Sequence, residues 1–240
     1  MYKKEKYIAI IPARKGSKGV PNKNIKKING HPLISYSIFA ALNSKFIDDV
    51  YVSTNCSKIK NISKQYGAKV ISRPEKLSND IIMPDSAVTH SINYIQIKLK
   101  QDLDNVVFMQ PTSPLRSKKD LDNAIVEFSK HNCDTLFSAV NLHPCLWLQK
   151  KTGATKPINY NPFKRKRRQD GDISIVENGS FYISKKKTFL KRDNRFGSKN
   201  RFFLMNYLCL TQIDTIDEFK IVSAILESKK FKYLNLVKQS

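Results

Sequence analysis

The stretch YIAIIPARKGSKGVPNKN (Tyr7–Asn24) joins a short apolar run to a loop that contains glycine, proline and basic residues. The β-branched run 7–11 is typical of a buried strand, and Pro12 ends it. Four cations follow with no acidic residue among them: Arg14, Lys15, Lys18 and Lys23. Because the backbone N–H groups of a glycine-containing loop can bind a phosphate while basic side chains neutralise it, the stretch predicts an anion-binding loop at the end of a strand.

This loop differs from the two most familiar phosphate-binding patterns. The Walker sequence GxxxxGK[ST] is absent, and Gly16 and Gly19 do not have the GxGxxG spacing of dinucleotide-binding loops. A solvated lysine-rich loop is the alternative interpretation, because the chain as a whole is strongly basic.

Strand-like and helix-like segments alternate as far as Val140, which predicts a mostly parallel sheet with helices on both faces. Ligands of such folds bind beyond the carboxyl ends of the strands, so the loops after Ile11, Ser72, Gln110 and Val140 are predicted to be neighbours. Ser117 is the predicted N-cap of one helix, and Asp85 or Ser86 that of another. The predicted strands are 7–11, 49–53, 68–72, 105–110 and 134–140, and the predicted helices are 33–42, 57–67, 85–99 and 117–130.

The regular alternation stops after Val140. Residues 141–168 contain prolines, a glycine and a charge run, and we interpret them as an excursion from the sheet. Strands at 180–184 and 202–206 and a closing helix at 214–228 follow. We therefore predict a single domain over residues 1–240.

Composition restricts the class of protein. The chain has 240 residues with 40% hydrophobic residues, and its apolar runs are shorter than the roughly 20 residues of a membrane helix. Its four cysteines have no CxxC spacing, which disfavours a zinc site and a disulfide scaffold and is typical of a reducing compartment. We therefore expect a cytoplasmic protein. The formal net charge of +23 indicates an anionic partner, which could be nucleic acid, a membrane surface or a phosphate ester.

Polar side chains follow two of the predicted strands. The Gln110 amide, in VVFMQPTSPLRS (106–117), can donate and accept hydrogen bonds, as the edge of a pyrimidine requires, although a polar turn is the simpler interpretation. Arg73 is either an anion clamp or a surface residue.

Two further features remain ambiguous from the residues alone. The cluster 164–168 could form a nucleic-acid patch, a solvated face or part of an anion site. Asp170 and Asp172 form a DxD pair, which is weak support for a metal site. Asp214 is either the N-cap of the last helix or a ligand of Mg²⁺, which takes one or two carboxylates together with phosphate oxygens.

Three segments in this order resemble the acylneuraminate cytidylyltransferases, which activate sialic acids and related nine-carbon keto-sugar acids as CMP esters. They are IPARKGSKGVPNKN, QPTSPLR, and RRQDGD followed by ENGSFYIS. The resemblance extends from about Tyr7 to Glu227. It implies a Rossmann-like nucleotidyltransferase fold, CTP and a keto-sugar acid as substrates, Mg²⁺ as cofactor, and a homodimer in which the excursion reaches the partner subunit. No membrane or nucleic-acid partner is then expected.

The resemblance also implies roles for individual residues. Arg14, Ser17 and Lys23 would contact the nucleotide, with Arg14 and Lys23 on the triphosphate. Asn24, Gln110 and Arg73 would lie on its cytosine and ribose side. Arg167, Arg168 and Gln169 would bind the sugar acid, and Asp214 would hold the metal. The catalytic set is then Arg14, Lys23, Arg167 and Arg168, which orient the attack of the sugar's anomeric hydroxyl on the α-phosphorus of CTP.

This chain departs from the family pattern in two places. Gln212 stands where many members have an acidic residue two positions before the metal-binding aspartate, which leaves the number of metal ions open. The segment 81–86 replaces a Ser/Thr-rich sequence near the sugar pocket, which leaves the sugar open. A basic nucleic-acid-binding protein and a nucleotidyltransferase for an octulosonate sugar are the alternative functions.

Overall fold

The computed structural model describes residues 5–17, 19–79, 82–170 and 174–228, without the side chain of Arg168. Lys18, Ile81 and Asp172, which the sequence analysis singled out, lie outside these residues. In chain order the elements are β1 (Tyr7–Pro12), β2 (Lys27–Ile28), β3 (His31–Pro32), α1 (Leu33–Leu42), β4 (Ile47–Thr54), α2 (Ser57–Gln65), β5 (Lys69–Ser72), α3 (Pro84–Asn93), β6 (Asn105–Met109), α4 (Lys118–Lys130), β7 (Thr135–Leu142), β8 (Trp147–Gln149), β9 (Thr155–Pro157), β10 (Ser174–Lys185), α5 (Lys186–Arg192), β11 (Asn200–Leu204) and α6 (Ile216–Glu227).

The predicted alternation of strands and helices is confirmed. Helix α1 has the predicted bounds, and most other elements differ from prediction by a few residues. The segment predicted as one long helix from 85 ends its α-helical part at Asn93 and continues as the π-helical turn Tyr94–Lys98. Helix α5 and the two small hairpins, β2–β3 and β8–β9, were not predicted from the sequence.

Seven strands form the main sheet in the order β11-β7-β10-β6-β1-β4-β5. Strand β10 is antiparallel to both neighbours, β6 and β7, while the other pairs in this sheet are parallel. The predicted fold class, a mostly parallel sheet with helices, is therefore confirmed.

Two apolar cores cover the two faces of the sheet. Ala9 and Ile11 of β1 belong to the core beneath α1, α2, α4 and α6, whereas Ile8 and Ile10 belong to the core beneath α3 and α5. Because β1 is buried on both sides, its sequence is a continuous apolar run and does not alternate with polar residues.

Helix caps differ in how well the sequence predicted them. Ser117 caps α4 in a reciprocal capping box with Asp120, as expected. The prediction for α3 is wrong, because this helix begins with Pro84 after Met83 and has no side-chain cap. Proline suits the first helical position, where its missing N–H leaves no hydrogen bond unmade.

Insertion of β10 between β6 and β7 changes which loops meet. The loops after β1, β5 and β6 converge at one edge of the sheet, but the chain leaving β7 at Leu142 lines a different cavity. The carboxyl end of β7 lies at the same edge as that of β6, two strands away, but the described part of the chain after it borders the second cavity and does not line the first. The position of β10 between β6 and β7 depends on a long connection, and no local sequence pattern indicates it. Within the described ranges, no helix is long and apolar enough to cross a membrane.

Candidate active site

A cleft of about 510 Å³ lies at the carboxyl ends of β1, β5 and β6. Its walls come from the cationic loop after β1, from the segment between β5 and α3, from the turn after β6, and from Asp214 before α6. The position agrees with the rule that ligands of open α/β sheets bind beyond the carboxyl ends of the strands.

Most of the side chains to which the resemblance assigned a role line this cleft. They come from four separate parts of the chain, and their roles remain predictions. The residues are Arg14, Ser17, Lys23, Asn24, Arg73, Gln110 and Asp214.

Gly19 allows the cationic loop to pack closely against the segment before α6. A Cβ atom at this position would overlap the carbonyl oxygen of Asp214. Glycine is therefore required here for close approach, whereas the neighbouring Gly16 has a φ of 78° and open space around it.

An ion pair crosses the same contact. Lys23 Nζ donates to Asp214 Oδ1 at 2.7 Å, and the lysine side chain is 11% exposed while the aspartate is 66% exposed. Asp214 does not cap α6, because Thr215 is the N-cap and forms a capping box with Glu218. The Asp214 carboxylate can therefore face the cleft while its backbone N–H donates to Glu218 Oε2 at 2.8 Å.

Arg73 is a buried cation with unsatisfied donors. Its side chain is 6% exposed, and its Nε and Nη2 have no hydrogen-bond partner among the described residues. Burial and the positive charge of Arg14 lower the pKa of Arg73 to about 10, with Glu75 acting in the opposite direction. Buried donors without partners are costly, so this arrangement favours an anion or a polar ligand in the cleft.

Asn24 supports the cationic loop from within. It belongs to the short 3-10 turn Lys23–Ile25, is 8% exposed, and donates from Nδ2 to the carbonyl of Arg14 at 3.3 Å. Part of its hydrogen-bonding capacity therefore holds the loop, and its amide oxygen is left for other contacts.

The turn after β6 is joined to the segment that carries Asp214. Ile213 N donates to Thr112 O at 2.9 Å, which places the side chains of Gln110 and Asp214 on the same cleft. The Thr112 hydroxyl is buried without a partner among the described residues.

One wall of the cleft is apolar. Leu77, Ile82, Met83 and Phe108 line it, and the first three precede or begin the turn into α3. Ile82 and Met83 belong to the segment that departs from the family pattern, so that departure lies at the cleft itself.

The described side chains of the basic cluster, 164–167, line a different cavity in the single chain. Arg167 lines a second cavity of about 530 Å³ together with His143, Tyr160 and Lys164, and its Nε donates to Asp170 Oδ2 at 2.7 Å. Gln169 lies in the exposed 3-10 turn Arg168–Asp170. Of the cations assigned to the sugar acid, Arg167 thus lies apart from those assigned to the nucleotide.

The metal-binding groups of the cleft fit a magnesium ion that is already bound to the phosphates of a nucleotide. No cluster of three His, Cys, Asp or Glu side chains that could hold a metal occurs in the described part of the chain. Gln212 adds no donor to the cleft, since its amide packs where a Cβ of Gly179 would be. Among the described residues that line the cleft, Asp214 is the one carboxylate, and it is exposed, which suits an ion that takes most of its ligands from phosphates and water.

Sequence reasoning missed a buried residue beneath the cleft. Arg116, in the quoted QPTSPLR segment, has a 1% exposed side chain that contacts the backbone of Gln110. The position of this arginine close to an apolar run could have indicated that it is buried. Its hydrogen-bond partners could not be identified without the fold.

Two curated relatives and the family model that matches this chain are all cytidylyltransferases. The model of the cytidylyltransferase family matches residues 8–239. The N-acylneuraminate cytidylyltransferase of Oncorhynchus mykiss is 39% identical over 185 residues, which are 75% of this chain and 41% of that protein. Its namesake in Streptococcus agalactiae serotype V is 33% identical over 218 residues, which are 89% of this chain and 52% of that protein. The chain spans about half the length of the curated relatives it matches.

Solved structures share the fold. A CMP:2-keto-3-deoxy-manno-octonic acid synthetase complexed with CTP superposes with a TM-score of 0.69 at 16% identity, covering 92% of this chain and 98% of that one. A 4-diphosphocytidyl-2C-methyl-D-erythritol synthase superposes with a TM-score of 0.68 at 10% identity, covering 93% and 100%. At these identities the likeness concerns the fold alone.

Proposed function

The chain belongs to the cytidylyltransferase family, and from this premise we propose that it transfers CMP from CTP to a nine-carbon keto-sugar acid and releases pyrophosphate. The observation that carries the proposal is the convergence of Arg14, Lys23, Arg73 and Gln110 on one cleft beyond the parallel strands. The curated relatives named N-acylneuraminate cytidylyltransferase support the choice of substrates.

The cations of the cleft supply what phosphoryl transfer requires. Arg14 and Lys23 bind the triphosphate and stabilise the charge that develops on the leaving pyrophosphate. The bond from the sugar's anomeric oxygen to the α-phosphorus forms as the bond to pyrophosphate breaks, and the proton of the attacking hydroxyl is released to water. The protein contributes mainly position, because an in-line attack needs both substrates held in one geometry.

Asp214 is the carboxylate that would hold magnesium in the complex with CTP. When bound, the ion neutralises phosphate charge and polarises the phosphate oxygens. The contact of Lys23 with Asp214 supports a role for both side chains at the same part of the nucleotide.

Gln110 would select the base. Its side-chain amide lines the cleft and can accept a hydrogen bond from the 4-amino group of cytosine. With the amide held so that its oxygen faces the base, the corresponding oxygen of uracil would meet the same acceptor, and a site built to pair one edge rejects the other. Asn24 and Ser17 complete the nucleotide side.

The sugar side would be completed by a second subunit. The excursion 141–168 exposes apolar side chains at Leu146, Trp147 and Phe163, the last of them 95% exposed. We propose that this surface pairs two chains, so that Arg167 of the partner subunit reaches the cleft and binds the sugar carboxylate. Arg168 and Gln169, which are its neighbours in sequence, belong to the same proposal.

A pyrophosphate-release assay tests the function. Purified protein is given CTP or UTP, Mg²⁺, and each of a panel of nine-carbon and eight-carbon keto-sugar acids. We expect turnover with CTP and at least one nine-carbon acid, and little with UTP. Equal turnover with both nucleotides would contradict the assignment, and preference for the eight-carbon acid would favour the octulosonate alternative.

A further inference from the structure

Arg116 lies in the segment between β6 and α4, directly beneath the cleft. Its side chain is 1% exposed and is the largest of the fully buried side chains. In the described ranges its hydrogen bonds go to backbone carbonyls and serine hydroxyls, and none goes to a carboxylate. A buried charge without a countercharge costs free energy, so its contacts must serve a purpose that an apolar side chain could not.

The guanidinium group connects three parts of the chain. Its Nη2 donates to Gln110 O at 2.5 Å and to Ser37 Oγ at 2.6 Å. Its Nη1 donates to Ser180 O at 2.8 Å and to Gln110 O at 3.2 Å. Arg116 therefore fixes the end of β6 against both α1 and β10.

The Gln110 backbone is held at both of its polar groups. Its N–H donates to Ser180 O at 3.2 Å, and its carbonyl accepts from Arg116 and, at 3.4 Å, from Ser37 Oγ. Gln110 is the first residue after β6, where the regular ladder of the strand stops, and Pro111 follows with a restricted φ. With the backbone fixed on both sides, the direction in which the Gln110 side chain leaves it is also fixed.

Arginine suits this task better than a neutral donor. Burial lowers the pKa of the Arg116 guanidinium to about 9, which leaves it charged at neutral pH, so its hydrogen bonds to carbonyls are charge-assisted. Its planar fork donates in fixed directions, whereas a lysine at the same place supplies a mobile point charge.

We propose that Arg116 is the positioning residue for base selection: by binding the Gln110 carbonyl beneath the cleft, it fixes the point and direction from which the Gln110 side chain enters the cleft to distinguish cytosine from uracil. This inference rests on the proposed function. It predicts that altering Arg116 changes the preference between two nucleotides, which a residue that only holds the fold together would not do.

The test compares Arg116→Lys, Ser37→Ala and Ser35→Ala with the wild type. Ser37→Ala removes one partner of the guanidinium, whereas Ser35→Ala is a matched control in the same helix, equally buried, whose hydroxyl donates to Pro32 O. For each protein we would measure kcat/KM and calorimetric Kd for CTP and for UTP, together with the melting temperature.

We expect Arg116→Lys to lower the CTP-to-UTP ratio about tenfold or more, since a small misplacement of a reading group is costly. Ser37→Ala should lower it about threefold, the scale of one hydrogen bond, and Ser35→Ala should leave it unchanged. In a Gln110→Ala background, Arg116→Lys should lower the ratio no further, because both changes act on the same contact.

A lower melting temperature with an unchanged ratio in both Arg116→Lys and Ser37→Ala would overturn the inference. If Arg116→Lys does not fold, an unchanged ratio in Ser37→Ala suffices to overturn it. Wild-type protein that binds CTP and UTP equally would overturn this inference and the proposed function together. Selective wild-type protein with an equally selective Arg116→Lys variant would overturn the inference alone.

Discussion

Lys23 and Asp214, 191 positions apart in the sequence, form an ion pair of 2.7 Å across the mouth of the cleft. The lysine side chain is nearly buried and the aspartate side chain is exposed. Both residues line the cleft, and the carboxylate is the more accessible of the two charged groups. The cationic loop is thereby fixed to the segment before α6. This places the groups assigned to the triphosphate and to the metal side by side.

Lys23→Ala should lower turnover by about 10²-fold, the usual scale for one lost preorganised charge contact. The expected reason is the loss of a positive charge that neutralises the triphosphate, and Arg14→Ala should behave similarly. Lys15→Ala is the matched control, since Lys15 belongs to the same loop, is exposed and does not line the main cleft. Steady-state kinetics, with circular dichroism as a check on folding, would decide. Wild-type activity in both Lys23→Ala and Arg14→Ala would favour a merely solvated loop.

Asp214→Asn should reduce turnover severely and raise the magnesium concentration needed for half-maximal rate, because a neutral amide binds the ion less well. Stability should stay close to that of the wild type, because the capping box of α6 belongs to Thr215 and Glu218. Asp217→Asn is the control, an exposed carboxylate in the first turn of the same helix. Full activity of Asp214→Asn over a magnesium titration would remove this carboxylate from the site.

The sequence predicted those parts of the fold that depend on neighbours along the chain. Ser117 was predicted to cap α4 from its place before an amphipathic run, and it does so in a capping box with Asp120. Asp85 stands at an equally plausible capping position, but its carboxylate instead binds Arg195, 110 residues away. A local pattern could not reveal this competing partner.

The residues of the candidate site likewise fall into those that the sequence predicted together and those that it did not. Arg14, Arg73 and Gln110 follow parallel strands, so the rule that strand ends converge was enough to bring them together. Arg167 lines a different cavity, and no spacing in the sequence indicates this separation. Arg116 was missed because Ser37 and Ser180, its partners besides Gln110, belong to distant elements.

Gly19→Ala should lower activity much more than Gly16→Ala. The added methyl group at position 19 would overlap the Asp214 carbonyl and push the cationic loop away from the carboxylate. At position 16 there is open space, and the cost comes only from a positive φ of 78°, about 1 kcal/mol. Turnover measured at saturating CTP, and the melting temperature of each variant, would separate the two effects. Equal losses in activity would show that loop flexibility matters and that close packing on Asp214 does not.

A buried ion pair between Asp85 and Arg195 holds the start of α3. Asp85 Oδ1 accepts from Arg195 N at 2.9 Å and from Nε at 3.0 Å, and Oδ2 accepts from Nη2 at 2.5 Å. The guanidinium also lies 4.5 Å from the ring centre of Phe108 and 4.4 Å from that of Tyr182. Although burial opposes the charge on Arg195, the hydrogen bonds and attraction of Asp85, together with Tyr182, raise its pKa above the usual value.

Asp85→Ala should therefore destabilise the protein by about 3–5 kcal/mol, because it leaves a buried guanidinium without its countercharge. Urea unfolding, with the midpoint and slope fitted together, would measure the loss. Glu127→Ala is the matched control, since it breaks an exposed ion pair with Lys130 at 3.1 Å and should leave the midpoint almost unchanged. Because α3 begins at Pro84 on the cleft wall, Asp85→Ala should also weaken sugar-acid binding in the fraction that remains folded. Similar midpoints for the two variants would mean that the Asp85–Arg195 pair contributes no more than a surface contact.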